Sequence, residues 1–278
     1  MPTPGIDPQP KISTESLDGI AGRRQGLDVS VPFTHAISFG VVRGGTVVTV
    51  VGAAGDIDPG ADEDIWGGDG LYTFFPTTAQ AIEVLSSSAL DTAAGTGAQT
   101  VMVIGLDATG NPQSQTVNLN GLTAVAIPGT WFRVFQVLVM AAGSTGQNAG
   151  NVTVRQVAGG TPVCAFIQAP GGNIGTPIAN RSYQSHYTIP AGKRGMVVAF
   201  GCSTTNTDNL TISILIRYPG GVWQGIFPLR LYQSSFGFGT SGEIALSLPA
   251  LTDIRILARA EIANCQASAW YTLCLLDP

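Results

Sequence analysis

Short runs of β-branched and aromatic residues recur along this chain at a spacing of about 8–12 residues. Glycine and proline turns lie among these runs, and no stretch sets apolar residues at helical spacing. Such strands bury one face at most, so they must pack sheet against sheet, which predicts an all-β protein of sandwich or jelly-roll type. Thr116, Asn118 and Asn120 alternate with Val117 and Leu119, the pattern of a sheet with one wet face. In the stretch from Asp253 to Ala260, Ile254, Ile256, Ala258 and Ala260 fall on one side and Arg255 and Arg259 on the other. Residues 100–106, 131–140, 151–157, 195–200, 210–218 and 265–276 read as further strands, with turns at 107–112 and 219–221.

The spacing of these signals divides the chain. Residues 1–35 hold five prolines and no sustained pattern; they are expected to form an extended arm that packs on a neighbouring subunit. A first β-sandwich is expected over 36–167, opening with a hairpin in which the runs Ile37–Val42 and Thr46–Val51 flank Gly44-Gly45. Residues 168–180, with three glycines and two prolines, read as a linker, and 181–278 as a second sandwich.

Charge narrows the functional classes. Asp, Glu, Lys and Arg make up 11% of the 278 residues, with a net charge of −5, where a globular chain carries about a quarter charged. Arg23-Arg24 and Lys193-Arg194 are the longest basic clusters, so no direct contact with nucleic acid is expected. No apolar run reaches the ~18–20 residues of a membrane span, and the N-terminal residues lack a basic start followed by an apolar core, so neither membrane insertion nor signal-directed secretion is expected. Cys164, Cys202, Cys265 and Cys274 are scattered without a CxxC pair and are expected to be free thiols in strands, which suits assembly in a reducing cytoplasm. A surface with so few charges is expected to be covered in part by other subunits.

Residues able to carry chemistry are few. Asp56, Asp58, Asp62, Glu63, Asp64 and Asp69 form an acidic run that could offer oxygen ligands to calcium, but it lacks EF-hand spacing and reads as a solvated or interface loop. His35 and His186 are the only histidines, and no Gly-x-Ser-x-Gly elbow accompanies them. His186 reads as a hydrogen-bonded strand residue. Lys193, in Ala-Gly-Lys-Arg, lacks the rest of a phosphate loop and reads as a turn. Glu83, Glu243 and Glu261 could serve a glycosidase, yet nothing around them singles out a pair. The aromatics Trp66, Tyr72, Phe74 and Phe75 read as buried loop anchors, with a sugar-binding surface as the competing reading. No catalytic, cofactor-binding or metal-ligating residue is nominated, no cofactor is expected, and the chain is not expected to be an enzyme.

The stretch Asp64-Ile-Trp66-Gly-Gly-Asp-Gly-Leu-Tyr72-Thr-Phe-Phe-Pro76 is followed by Ile82–Ser88, Asp91–Ala98, Val101–Asp107 and Thr116–Gly121. This order of motifs resembles a family of virion structural proteins of tailed bacteriophages, over about residues 60–165. The resemblance implies a β-rich virion subunit that decorates the head or forms part of the tail, and it carries over no catalytic residues. Together with the low charge it leads to the expectation of a capsid decoration or cement protein, working in the virion, bound to the major capsid protein or neighbouring virion subunits, and self-associated, with a trimer favoured. A tail, collar or head-fibre component that meets the host is the alternative; a polysaccharide depolymerase is the least favoured.

Overall fold

Alternation along each strand decides which side chains turn inward, and the computed structural model follows it. It describes residues 33–157, 160–172, 180–204, 209–232, 235–239 and 246–278. The expected arm (apart from its last three residues), most of the expected linker and Glu243 therefore lie outside the described residues.

In chain order the elements are α1 (Phe33–Ser38), β1 (Thr46–Ile57), β2 (Glu63–Asp64), β3 (Gln80–Ser86), β4 (Ala98–Leu106), β5 (Pro112–Asn118), β6 (Val125–Trp131) and β7 (Arg133–Ala142). They continue with β8 (Val152–Gln156), β9 (Val163–Ile167), β10 (Tyr187–Thr188), β11 (Arg194–Thr204) and β12 (Asn209–Arg217). The last are β13 (Gln224–Tyr232), β14 (Ser235–Gly239), β15 (Leu246–Leu248), β16 (Asp253–Ala260) and β17 (Cys265–Leu276). The fold is all-β, as expected, and every strand pairing between these elements is antiparallel.

The first sandwich joins the sheet β6-β3-β8-β9 to the sheet β5-β4-β7. Ile82 and Val84 of β3, Val101 and Val103 of β4, Val134 and Val137 of β7 and Val152 and Val154 of β8 meet in one core with Trp131. β5 has no fully buried residue, and its exposed Ser114, Thr116 and Asn118 give the wet face that the alternation predicts. At one end the Asp91 carboxylate is fully buried. It accepts hydrogen bonds from Ser86 Oγ at 2.5 Å and from the backbone N–H groups of Ala98, Ala149 and Gly150 at 2.7–2.9 Å, tying the β3–β4 loop to the β7–β8 loop. At a hairpin tip the Asp107 carboxylate accepts from Thr109 and Asn111, which lowers its pKa, and Gly110 takes the left-handed φ of 81° that the turn requires.

The second sandwich sets the sheet β1-β17-β11-β14, with β15 beside β11, against β10-β16-β12-β13, with β2 beside β16. Its core includes Ile57, Phe200, Leu210, Ile212, Ile254, Ile256, Tyr271 and Leu273.

Three expectations are corrected. The segment from Ile37 is not the first strand of a hairpin: Phe33–Ser38 is a helical turn, stopped at Gly40, whose φ of 73° ends a helix as a left-handed residue does. Ile37 packs on Val198 and Cys274, so its apolar side chain serves as a plug instead of a rung in a sheet. The strand drawn through 131–140 is two strands. Trp131 ends β6 and Arg133 begins β7, in different sheets, so Phe132 is a corner. Finally, residues 36–167 do not all belong to the first sandwich. β1 pairs with β17 from Thr46↔Leu275 to Ile57↔Cys265, and β2 pairs with β16. The chain changes cores between Ile65, which lies in the second, and Trp66, which lies in the first. Alternation in β1 signals a buried face without saying which core receives it.

Candidate functional site

The densest chemistry lies where the two sandwiches meet. β16 begins with Asp253, whose side chain is 3% exposed. Arg133, at the start of β7, donates to it from Nε at 2.8 Å and Nη2 at 3.0 Å. Arg217, at the end of β12, donates from Nε at 3.0 Å and Nη2 at 2.6 Å, and Thr188 donates its hydroxyl at 2.5 Å. Arg133 also donates to the carbonyls of Pro76 and Phe132, which fixes the β6–β7 corner. Burial alone would raise the Asp253 pKa. Its hydrogen bonds and charge contacts with Arg133, Thr188 and Arg217 outweigh that, and the carboxyl stays below the ordinary range.

A second pair lies beside it. Arg255, two residues along β16, makes a bidentate contact with fully buried Asp64, which also accepts from the backbone N–H of Tyr72 at 2.7 Å. With one guanidinium in place of two, burial wins here and pushes the Asp64 carboxyl up to about 6. Phe75 fills the space between the pairs. The guanidinium carbons of Arg217, Arg133 and Arg255 lie 5.1, 5.4 and 5.8 Å from its ring centroid, and Trp223 packs edge-on at 5.1 Å.

His186 continues the seam into the first core. Its ring stacks on Tyr72 at 3.6 Å between centroids, and its Nε2 lies 3.1 Å from the carbonyl of Val134. Gln184 donates through Nε2 to the carbonyl of Cys164, and Tyr72 donates its hydroxyl to the same oxygen. The same Nε2 lies 3.1 Å from the Gln184 amide nitrogen, so it donates to Val134 in one tautomer and accepts from Gln184 in the other. Nδ1 has no hydrogen-bond partner among the described residues. Burial, aided by the charges of Arg255 and Arg133, lowers the His186 pKa to about 3, so the ring is neutral across the physiological range. The expectation of a hydrogen-bonded strand residue is correct in its bonding, although His186 lies just before β10.

The other sequence candidates are dispersed. Within the acidic run, Glu63 accepts from the backbone N–H groups of Asp58 and Gly70, Asp64 holds Arg255, and Asp62 pairs with Arg259 at the surface. Asp58, Asp62 and Asp69 are exposed, as expected of a solvated or interface loop, whereas Glu63 and Asp64 are buried ties. Among the described residues no group of three or more His, Cys, Asp or Glu side chains is placed to hold a metal ion. His35 is exposed and contacts Phe39, whereas His186 is buried. Glu83 pairs with Arg155, and Glu261 with Arg230. Lys193 sits in a turn and pairs with Asp277. Trp66, Tyr72 and Phe74 are buried, as loop anchors should be. All four cysteines are buried, and none is joined to another in a disulfide.

Beside Phe75 a shallow depression of about 300 Å³ is lined by Thr73, Pro76, Thr78, Gln80 and Gln156 among others, with no ionisable side chain. No helix among the described residues is long and apolar enough to cross a membrane.

Asp253, Arg133, Arg217 and Thr188 escaped the sequence reading. One signal pointed to them: in a chain with 11% charged residues, an arginine inside an apolar run, as in Trp131-Phe132-Arg133, needs a buried acid partner. Chemically the arrangement is a clamp. Arg133 of the first sandwich and Asp253 of the second pair across the boundary between the two cores.

No protein-family model matches the chain, and no curated protein matches it. Among solved structures, that of the Gx strain of infectious bursal disease virus is similar over 83% of this chain and 71% of its own, at 9% identity and a TM-score of 0.20. The VP2 subviral particle of the same virus is similar over 89% of this chain and 78% of its own, at 10% identity and a TM-score of 0.19.

Proposed function

We propose that the protein is a non-enzymatic structural subunit of a virion, and within that class a decoration or cement subunit on the head of a tailed bacteriophage. The observation that carries this reading is the ionic seam. Asp253 pairs with Arg217 of its own sandwich and with Arg133 of the other, and Asp64, paired with Arg255 beside it, accepts from the Tyr72 backbone of the first core, so that buried charge ties the two sandwiches together. A subunit that bridges neighbours under load gains from such a joint, because a free hinge between its halves would bend before the load was resisted. The scarcity of charge suits broad apolar and hydrogen-bonded contacts with the major capsid protein, and the motif order from Trp66 to Gly121 resembles phage virion proteins. Local three-fold positions of a shell favour a trimer.

Particles depleted of the protein test the proposal. They are expected to release DNA at lower temperature, and adding the purified protein back should restore them, since binding that favours the assembled shell stabilises it by mass action. Hundreds of copies per particle are expected. Depleted particles that stay robust but fail to adsorb to cells would overturn the cement reading in favour of a tail or fibre role, and release of reducing sugar from host polysaccharide would overturn the non-enzymatic one.

A further inference from the structure

The sheet β1-β17-β11 has a second face, turned away from the core of its sandwich. Across the three strands Val47 aligns with Cys274 and Met196, and Val51 with Trp270 and Gly201. None of the outward positions in the rows from Val47 to Ala53 carries a charge. α1 covers one half: Ile37 packs on Val198 and Cys274, with Val47 and Met196 against them. Beyond α1 the face is open among the described residues. Thr49 is exposed, and Trp270 is 38% exposed. Its indole lies flat on Gly201, where an added Cβ would come within 2.5 Å of Nε1. A glycine that seats a large aromatic on an uncharged outer face makes an anchor for an apolar partner.

The chain supplies a segment of fitting pattern next to this face. Residue 32 leads directly into α1, and just before it Leu27, Val29 and Val31 alternate with Asp28 and Ser30. We infer that residues 27–31 dock on the open half of this face of their own subunit, setting Leu27, Val29 and Val31 over Val51, Trp270 and Thr272 and leaving Asp28 and Ser30 to solvent. Reach is sufficient. The rows of Val47 and Val51 are about 13 Å apart along a strand, and six extended residues span roughly 20 Å. A tether this short holds the segment at a local concentration in the millimolar range, which favours the chain's own face over that of a second copy. This inference does not depend on the virion reading.

Cysteine pairing in the full-length protein tests it. Val29→Cys with Thr49→Cys, oxidised at low concentration, is expected to give an intramolecular disulfide, seen as a faster monomer band on a non-reducing gel. Val29→Cys with Ser114→Cys, whose second cysteine lies on exposed β5 of the other sandwich, is expected to give none. A variant with Leu27→Asp, Val29→Asp and Val31→Asp should increase acrylamide quenching of Trp270, isolated by difference from Trp270→Phe proteins, by about twofold as the apolar cover is lost. A disulfide-linked dimer in place of the faster monomer assigns the face to a second copy and overturns the inference. Cross-linking as efficient to Ser114→Cys as to Thr49→Cys, or quenching unchanged in the triple variant, overturns it as well.

Discussion

Two buried carboxylates hold this molecule together in opposite ways. Asp91 sits inside the first sandwich with no arginine beside it; its donors are one hydroxyl and three backbone N–H groups, two of them more than fifty residues away along the chain. Asp253 sits between the sandwiches and is held by side chains, two of them guanidiniums, from β7 and β12. Backbone donors cannot be exchanged by substitution, so the Asp91 cage depends on loop shape and in turn sets that shape. Side-chain donors carry charge, so the Asp253 cluster joins separate pieces and makes each arginine depend on one acid. The first device shapes a loop cluster, and the second couples two cores.

The comparison breaks most sharply at Asp253. Asp253→Ala strands Arg133 and Arg217 without a counter-charge, and a loss of about 3–5 kcal/mol is expected in denaturant unfolding. The two sandwiches should then unfold in separate steps. A single cooperative transition with less than about 1 kcal/mol lost would show that the apolar contacts, and not the cluster, couple the halves.

Acid should reach the seam first. His186 has its folded-state pKa depressed to about 3 from 6.5, so its contribution to stability is fully present above pH 6.5 and lost as pH falls toward 3. Between pH 6.5 and 4.5 that amounts to about 2 kcal/mol. Asp64, raised to about 6 from 3.8, acts with the opposite sign, since its contribution is present at low pH and lost as pH rises through 6. The measurement is therefore a difference: a His186→Gln protein should gain on the wild type as pH is lowered through this window. Parallel stability curves would remove His186 from the acid response.

At the cage, Asp91→Asn turns one acceptor oxygen into a donor among N–H groups and should cost about 1–3 kcal/mol. Hydrogen exchange should quicken at Ala98, Ala149 and Gly150 while the second sandwich keeps its protection. Glu83→Gln, at a partly exposed pair with Arg155, should cost less than about 1 kcal/mol, and salt should mask even that.

What could be read from the residues follows the range of the interaction involved. Alternation in residues 82–84, 101–103 and 254–260 places those side chains correctly, because a strand's inside and outside are set locally. It also separates Arg255 and Arg259 from the apolar face of β16. Alternation cannot reveal that the arginine face is itself covered at one end, where Asp64 buries Arg255 while Arg259 stays exposed with Asp62. The partner of β1 was hidden for the same reason: Thr46 meets Leu275 from nearly the full length of the chain away. The clamp was hidden because its members are single residues on β7, β12 and β16, related by packing and not by spacing.

The pairing of β1 with β17 also sets a clock. A ribosome adding ~5–20 residues per second needs roughly 10–45 s to make the residues between these strands. The first sandwich lies wholly within that interval and can close while synthesis continues. β1 meanwhile waits with an unpaired, valine-rich backbone, open to the wrong strand of any neighbouring nascent chain. Refolding from denaturant has no such order of emergence, and closing so long a loop makes this pairing a slow one. Yields from cells and from refolding should therefore diverge, and slowing translation should lengthen the interval in which β1 is vulnerable.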